Sequence, residues 1–404
     1  MKEVVMVSAC RTAIGSFLGS LKSVQAKDLA ITVSREAISR AGIDAALIDE
    51  ITLGQVYPHM QGSLPARQVG LAVGLLDSSS AVNINQNCAS SMRALEIAAQ
   101  NIQLGKTDIA LVVGTESMTN VPYMLGKARM GYRLNSGILE DAMVYDALFC
   151  GFTDGHMAIT AENVAERYGI TRQECDELAL ISHQRATRAV NDGTFKREIV
   201  PVEIKGRKGK VSYFDTDENM ISDANLEAMS RLAPVFKKGG VVTAANASSI
   251  NDGAAAAIIT SKEKAEELGL KPLMKLINVC SAGVDPTVMG LGPAVAIPKC
   301  LQQAGMKFED VEYWEINEAF AAQWLGVGRM LQEDHGIDLT NNMKLDKVNH
   351  NGSGIALGHP VGCTGLRLIV SLYYEMEKLD LTMGGASLCV GGGPAMCSLW
   401  TRDI

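Results

Sequence analysis

The chain has 404 residues, 47% hydrophobic and 20% charged, a composition that suits a filled core and two or three domains. Its formal net charge of −8 argues against a nucleic-acid partner, so any anionic ligand must be met by local groups. The nine cysteines are scattered, with no C-x-x-C pair and no Cys/His cluster, which argues against a disulfide framework and a metal site.

The opening MKEVVMVSACR reads as a strand, not a signal peptide, and no apolar run is long enough to span a membrane. A cytoplasmic protein with no membrane partner is expected. Strands are predicted at residues 4–7, 51–56, 81–85 and 109–113, and helices at 28–41 and 89–105. Strands alternating with helices imply an α/β architecture with a largely parallel sheet. Residues from about 117 to 245 break the pattern with Gly and Pro, one long helix over 161–192, and the basic stretch 205–210. That stretch reads equally as a phosphate contact or an exposed loop, and the whole region as an insertion covering a site. The first pattern then returns, with strands at 272–279 and 313–316 and helices at 294–304 and 318–331.

One internal echo stands out. Val82-Asn-Ile-Asn85 leads to Cys88 and a helix, and Val348-Asn-His-Asn351 leads to a glycine-rich turn and a helix. Each unit runs on into a further apolar strand, at 109–114 and 386–392. The echo suggests two similar halves with a site between them.

Cys88 falls where a strand has ended and a helix begins. Unpaired N–H groups and the helix dipole there would stabilise a thiolate and an oxyanion. A buried structural thiol is the competing reading. A nucleophilic cysteine needs a base, and the chain has six histidines. His359 lies in Gly352-Ser-Gly-Ile-Ala-Leu-Gly-His359-Pro-Val-Gly-Cys-Thr-Gly365, a backbone that must turn sharply or approach a ligand. A dinucleotide loop is discounted, because Leu357 occupies the offset of the third glycine. Cys389 runs from an apolar strand into three glycines, either as a buried strand residue or as a second reactive sulfur. Asn317 follows the 313–316 strand and reads either as a helix N-cap or as a group that orients a water.

Taken together, these segments resemble the thiolase family over nearly the whole chain. The matching motifs are Arg11-Thr-Ala-Ile-Gly15, His156-Met-Ala-Ile-Thr-Ala-Glu-Asn163, Asn246-Ala-Ser-Ser-Ile-Asn-Asp-Gly-Ala254, Asn317-Glu-Ala-Phe320, Gly358-His-Pro360 and Cys389-Val-Gly-Gly-Gly393. Six motifs in family order are highly specific, and the likeness is greatest to the biosynthetic, acetoacetyl-CoA type. The resemblance implies a thiolase-like α/β fold of two similar halves in five layers plus an inserted loop domain. The halves would be residues 1–116, completed by 246–270, and 271–404, with 117–245 as the loop domain.

The resemblance also implies roles. Cys88 would take the acyl group, and His359 would activate it. His359 with a water held by Asn317 would form one oxyanion hole, and the N–H groups of Cys88 and Gly391 the other. Cys389 would exchange the α-proton of the second acetyl-CoA. Ser248 and His156 would contact the pantetheine, and Met157, Leu148, Phe236, Ala244 and Phe320 would line its tunnel or simply be core. Acetyl-CoA, acetoacetyl-CoA and coenzyme A are the implied partners, coenzyme A as substrate or product, with no metal or redox cofactor and a homodimer or homotetramer. The chain departs from the family pattern near the nucleophile, where Ala89-Ser-Ser91 replaces Gly-Ser-Gly. Cys389 argues against a decarboxylating ketoacyl synthase, which lacks this second cysteine. Retention of Cys88, His359, Asn317 and Cys389 argues against a thiolase-like chain that has lost catalysis.

Overall fold

A computed structural model describes residues 1–404 apart from the side chain of Arg207, so that part of the basic stretch 205–210 lies outside the described residues. The main sheet is built from β1 (Val4–Thr12), β2 (Glu50–Gly54), β3 (Ser80–Ile84), β4 (Ile109–Ser117), β5 (Asn251–Ser261), β6 (Met274–Gly283), β7 (Tyr313–Ile316), β8 (Met383–Cys389) and β9 (Pro394–Thr401). Their spatial order is β7-β8-β9-β6-β1-β5-β4-β2-β3.

The prediction of a largely parallel sheet is corrected. The pairs β7/β8, β4/β2 and β2/β3 are parallel, but the five pairs from β8/β9 to β5/β4 are antiparallel. The reason is β5, a run of small and β-branched residues not foreseen as a strand. It enters between β1 and β4, antiparallel to both, with Val4 opposite Ser261 and Ile109 opposite Thr260. The late strand β9 does the same beside β6 and β8.

The two halves of the sheet meet only through Val5 opposite Lys275 and Met6 opposite Met274. So short a seam lets them stack with helices between them. The helices are α1 (Ala26–Ala41), α2 (Pro65–Ala72), α3 (Ser90–Gln103), α4 (Ala158–Tyr168), α5 (Arg172–Asn191), α6 (Gly292–Ala304), α7 (Ala321–His335) and α8 (Val361–Lys378). α1 and α2 cover the outer face of the first half, through Leu29, Val33 and Val69. α3 and α8 lie between the halves, where Met92, Leu95, Leu366 and Ile369 share one apolar cluster. α6 and α7 cover the outer face of the second half, through Ile297, Trp324 and Val327. The result is the five-layered thiolase-like α/β fold.

Residues 118–250 leave the sheet after β4 and return as β5, touching it on the way only where Ile199 and Val200 pair in parallel with Arg11 and Thr12 of β1. The single helix predicted over 161–192 is two. Gly169, at φ 61°, closes α4, and Thr171 then opens α5 with a capping box to Glu174. This segment is tied to β1 by a buried ion pair. The Arg11 guanidinium donates to Glu198 at 2.6 Å and to both carboxylate oxygens of Asp217 at 2.8 Å. Removing one partner of such a pair leaves an uncompensated buried charge, at a cost of about 3–5 kcal/mol. Among the described residues no helix is long and apolar enough to cross a membrane. All nine cysteines are free.

Candidate active site

Cys88 stands in the five-residue turn between β3 and α3, residues 85–89. Local hydrogen bonds hold the turn. The Asn85 side-chain oxygen accepts from the Asn87 N–H at 2.9 Å, and the Ser90 hydroxyl donates to the Asn87 carbonyl at 2.6 Å. Asn87 takes the left-handed conformation, φ 44°, and its side-chain amide donates to the Gly391 carbonyl at 3.0 Å. The Cys88 turn is thereby fastened to the glycine run that follows β8. The backbone N–H groups of Gly391 and of Cys88 itself lower the pKa of the thiol. They favour a thiolate, but burial outweighs them and pushes the thiol up to about 11. The helix N-terminus therefore does not by itself give the thiolate expected from sequence. A base must take the proton.

His359 comes from the twelve-residue connection that precedes α8. Gly358 sits at φ 103°, and a Cβ there would lie 2.5 Å from Asn251, so only glycine fits. Asn251 in turn accepts from the His359 N–H at 2.8 Å and donates to the Gly15 carbonyl at 3.1 Å. The ring is oriented by Thr364, whose hydroxyl lies 2.6 Å from Nδ1. That hydroxyl also lies 3.0 Å from the Pro360 carbonyl, to which it can donate. With its hydrogen there it accepts from Nδ1–H, and on that pairing we assign the proton to Nδ1. Nε2 is left as a buried lone pair with no protein partner. Burial, followed by the nearby Arg367 charge, brings the imidazole down to about 3, so the ring is neutral. A neutral imidazole with a free Nε2 is what a general base requires.

Cys389 ends β8 and is buried. Burial, followed by the proximity of Cys88, raises its thiol far above the ordinary cysteine range. Cys88, His359, Cys389 and Gly391 line one cavity of about 530 Å³. The same cavity is walled by Ser248, His156, Met157, Leu148, Phe236, Ala244 and Phe320. His156 stacks on Phe236 with ring centroids 4.3 Å apart, and its Nδ1 accepts from the Ala158 N–H at 3.1 Å. Leu148 accepts from the Met157 N–H at 2.7 Å, and the Ser248 N–H donates to the Ala319 carbonyl at 2.9 Å. Residues from the 118–250 segment and from both sheet halves thus meet around one space.

Asn317 is different. It is fully buried and outside the cavity wall, which Ala319 and Phe320 form beside it. It is not a helix N-cap, because α7 begins at Ala321 with Phe320 as its cap. Both polar atoms of its side chain lack a protein partner. A buried amide in that state costs about 1–3 kcal/mol per unmet group, which a bound water would relieve. Sequence reasoning missed Thr364, Asn251 and Asn87, which position the reacting groups, and Met118 and Met289 in the cavity wall. Thr364 had a signal, since it lies five residues after His359, one helical turn beyond Pro360. Among the described residues of the 205–210 stretch, none lines the cavity.

A free thiol facing a neutral base at the meeting of two like halves defines a class of acyl-transfer fold. Sequence comparison agrees: residues 4–263 match "Thiolase, N-terminal domain" and residues 270–402 match "Thiolase, C-terminal domain". The chain belongs to the thiolase family and is an acyltransferase. It is 49% identical over 394 residues to an acetyl-CoA acetyltransferase of Syntrophomonas wolfei, covering 97% of each chain. It is 45% identical over 403 residues to an acetyl-CoA acetyltransferase of Escherichia coli, covering 100% of each. Among solved structures it superposes on human mitochondrial 3-ketoacyl-CoA thiolase in complex with CoA with a TM-score of 0.93. That match is at 34% identity and covers 100% of this chain and 98% of the other.

Proposed function

We infer that the chain is an acetyl-CoA C-acetyltransferase. It joins two acetyl-CoA into acetoacetyl-CoA and free coenzyme A, and runs the reverse thiolysis, by ping-pong transfer through a Cys88 thioester. The observation that carries the reading is the pairing of His359 with Cys88: the two line one cavity, and Nε2 of the buried imidazole has no protein partner. In thiolysis His359 takes the Cys88 proton, and the sulfur attacks the β-ketone of acetoacetyl-CoA. The Cα–Cβ bond breaks, and Cys389 gives its proton to the departing acetyl-CoA carbanion. The Cys389 thiolate then takes the proton of coenzyme A, whose sulfur attacks the thioester and releases the second acetyl-CoA and the Cys88 thiolate, which takes its proton back from His359. Each negative charge needs donors aimed at it. Gly391 and Cys88 N–H groups serve the thioester oxygen, and His359 with a water on Asn317 serves the other.

Ser248 and His156 meet the pantetheine, and Met157, Leu148, Phe236, Ala244 and Phe320 form its tunnel. Residues 1–116, completed by 246–270, and 271–404 act as the two halves, with 117–245 as the loop domain over the coenzyme. The enzyme works in the cytoplasm as a homodimer or homotetramer. The test is thiolysis of acetoacetyl-CoA, followed by its absorbance, for wild type and Cys88→Ala. Active wild type with the folded variant slowed at least about 10⁴-fold is expected. A wild type that ignores acetoacetyl-CoA but cleaves longer β-ketoacyl-CoAs would sink the short-chain assignment.

A further inference from the structure

The first turn of α8 carries His359 just upstream and Thr364 within it, yet it is not capped from within. Its N-cap is Pro360, which has no side-chain acceptor to offer. Helix starts leave N–H groups that must find partners. Here a buried carboxyl from the other half of the molecule meets one of them, and a buried serine from the same half bridges the turn that follows.

One is Glu116, near the end of β4. Its Oε2 accepts from the Gly362 N–H at 3.0 Å and from the Val56 N–H at 2.9 Å, and its Oε1 from the Tyr57 N–H at 3.2 Å. The other is Ser91, three residues after Cys88 on α3. Its hydroxyl accepts from the Leu366 N–H at 2.9 Å and donates to the Cys363 carbonyl at 3.0 Å. These two residues flank Thr364 and Gly365. The helices are at close approach here. A Cβ on Gly365 would lie 2.8 Å from the Met92 nitrogen, and one on Gly114 would lie 2.5 Å from the Ser91 Cβ. Ser91 and Glu116 are both fully buried.

We propose that Ser91 and Glu116 are positioning residues for His359, fixing the first turn of α8 against the Cys88 helix and so setting the distance from base to nucleophile. Neither touches substrate. The chain of contacts runs from Cys88 along α3 to Ser91, across to Cys363 and Leu366, and through Thr364 to the imidazole. Position 91 is also where the sequence departs from the family's glycine, which has no hydroxyl to bridge the helices. The proposal rests on the reading of His359 as the base for Cys88.

The experiment compares Ser91→Ala and Glu116→Gln with wild type in two assays. One is thiolysis of acetoacetyl-CoA. The other is alkylation of Cys88 by iodoacetamide, read by peptide mass spectrometry, which needs no acyl-CoA and therefore stands even if the proposed substrate is wrong. Both variants should lose about tenfold in kcat and in alkylation rate, with the KM for coenzyme A within about twofold and both variants folded by circular dichroism. The alkylation loss should vanish when Ser91→Ala is made in a His359→Asn background, because the serine acts through the histidine. A loss that persists in that background overturns the proposal. So does a folded pair of variants with kcat and alkylation within twofold of wild type, or a change confined to KM.

Discussion

The two halves of the sheet lead into α3 and α8 by very different routes. In the first half, β3 pairs in parallel with β2, and five residues later α3 begins, with Cys88 in the gap. In the second half, Val348 makes a single parallel bridge to Trp314 of β7, and residues 349–360 intervene before α8. The asparagines of the echoed motif differ in the same way. Asn83 accepts one bond, from the Ala66 N–H. Asn349 bonds both backbone groups of Ile316 and donates to Glu318 at 2.9 Å. The short connection leaves its residue at a helix start, next to backbone donors. The long one has room for the Gly354–Leu357 turn and extends the histidine over the cavity. A repeated scaffold fixes where the two groups arrive, and the unequal connections fix what each can do.

The contrast can be broken from either side. The largest effect is expected from the long connection. His359→Asn should lower thiolysis kcat by roughly 10³-fold, the worth of a general base, while leaving the protein folded. Retention of more than a tenth of the activity would show that the short connection activates its own thiol. Next is Asn317→Ala, with a loss on the order of 10²-fold in kcat and little change in the KM for coenzyme A, as for removal of one oxyanion donor. Its unfolding midpoint should hold or rise, since the amide has no protein partner to lose. A drop in stability with kcat intact would reduce it to a structural role.

The smallest effect concerns protonation. The folded imidazole of His359 sits at about 3 against an unfolded value of 6.5. A depressed folded pKa gives stability that is present above about 6.5 and is lost as pH falls toward about 3, because only the unfolded chain takes up the proton there. His359→Gln should lack that component. Urea midpoints at pH 7 and pH 5 should therefore lie closer together in the variant than in wild type. An equal spread in both would mean that the ring is not held neutral.

Much of the site could be read from the sequence because its chemistry needs rare local patterns. A cysteine at a strand-to-helix turn and a histidine inside a dense glycine run are such patterns. The antiparallel centre of the sheet was not legible, since strand direction depends on which partner a segment finds, and β5 finds two that are over 100 residues away. Asn317 looked like a cap because an asparagine after a strand usually is one; the helix begins four residues later. Ser91 acts across a helix pair, a relation that local spacing does not encode.

The placement of β5 also has a consequence for how the protein is made. Its neighbours β1 and β4 are complete by Ser117, but the strand that joins them begins at Asn251. During synthesis from the N-terminus, more than a hundred residues must leave the ribosome while both strands carry bare edges facing a strand-wide gap. Exposed edges of that kind recruit other chains, and distant pairings close slowly. The gap can be closed only by the chain's own later segment, so the pairing of the first half of the sheet waits on residues 251–261.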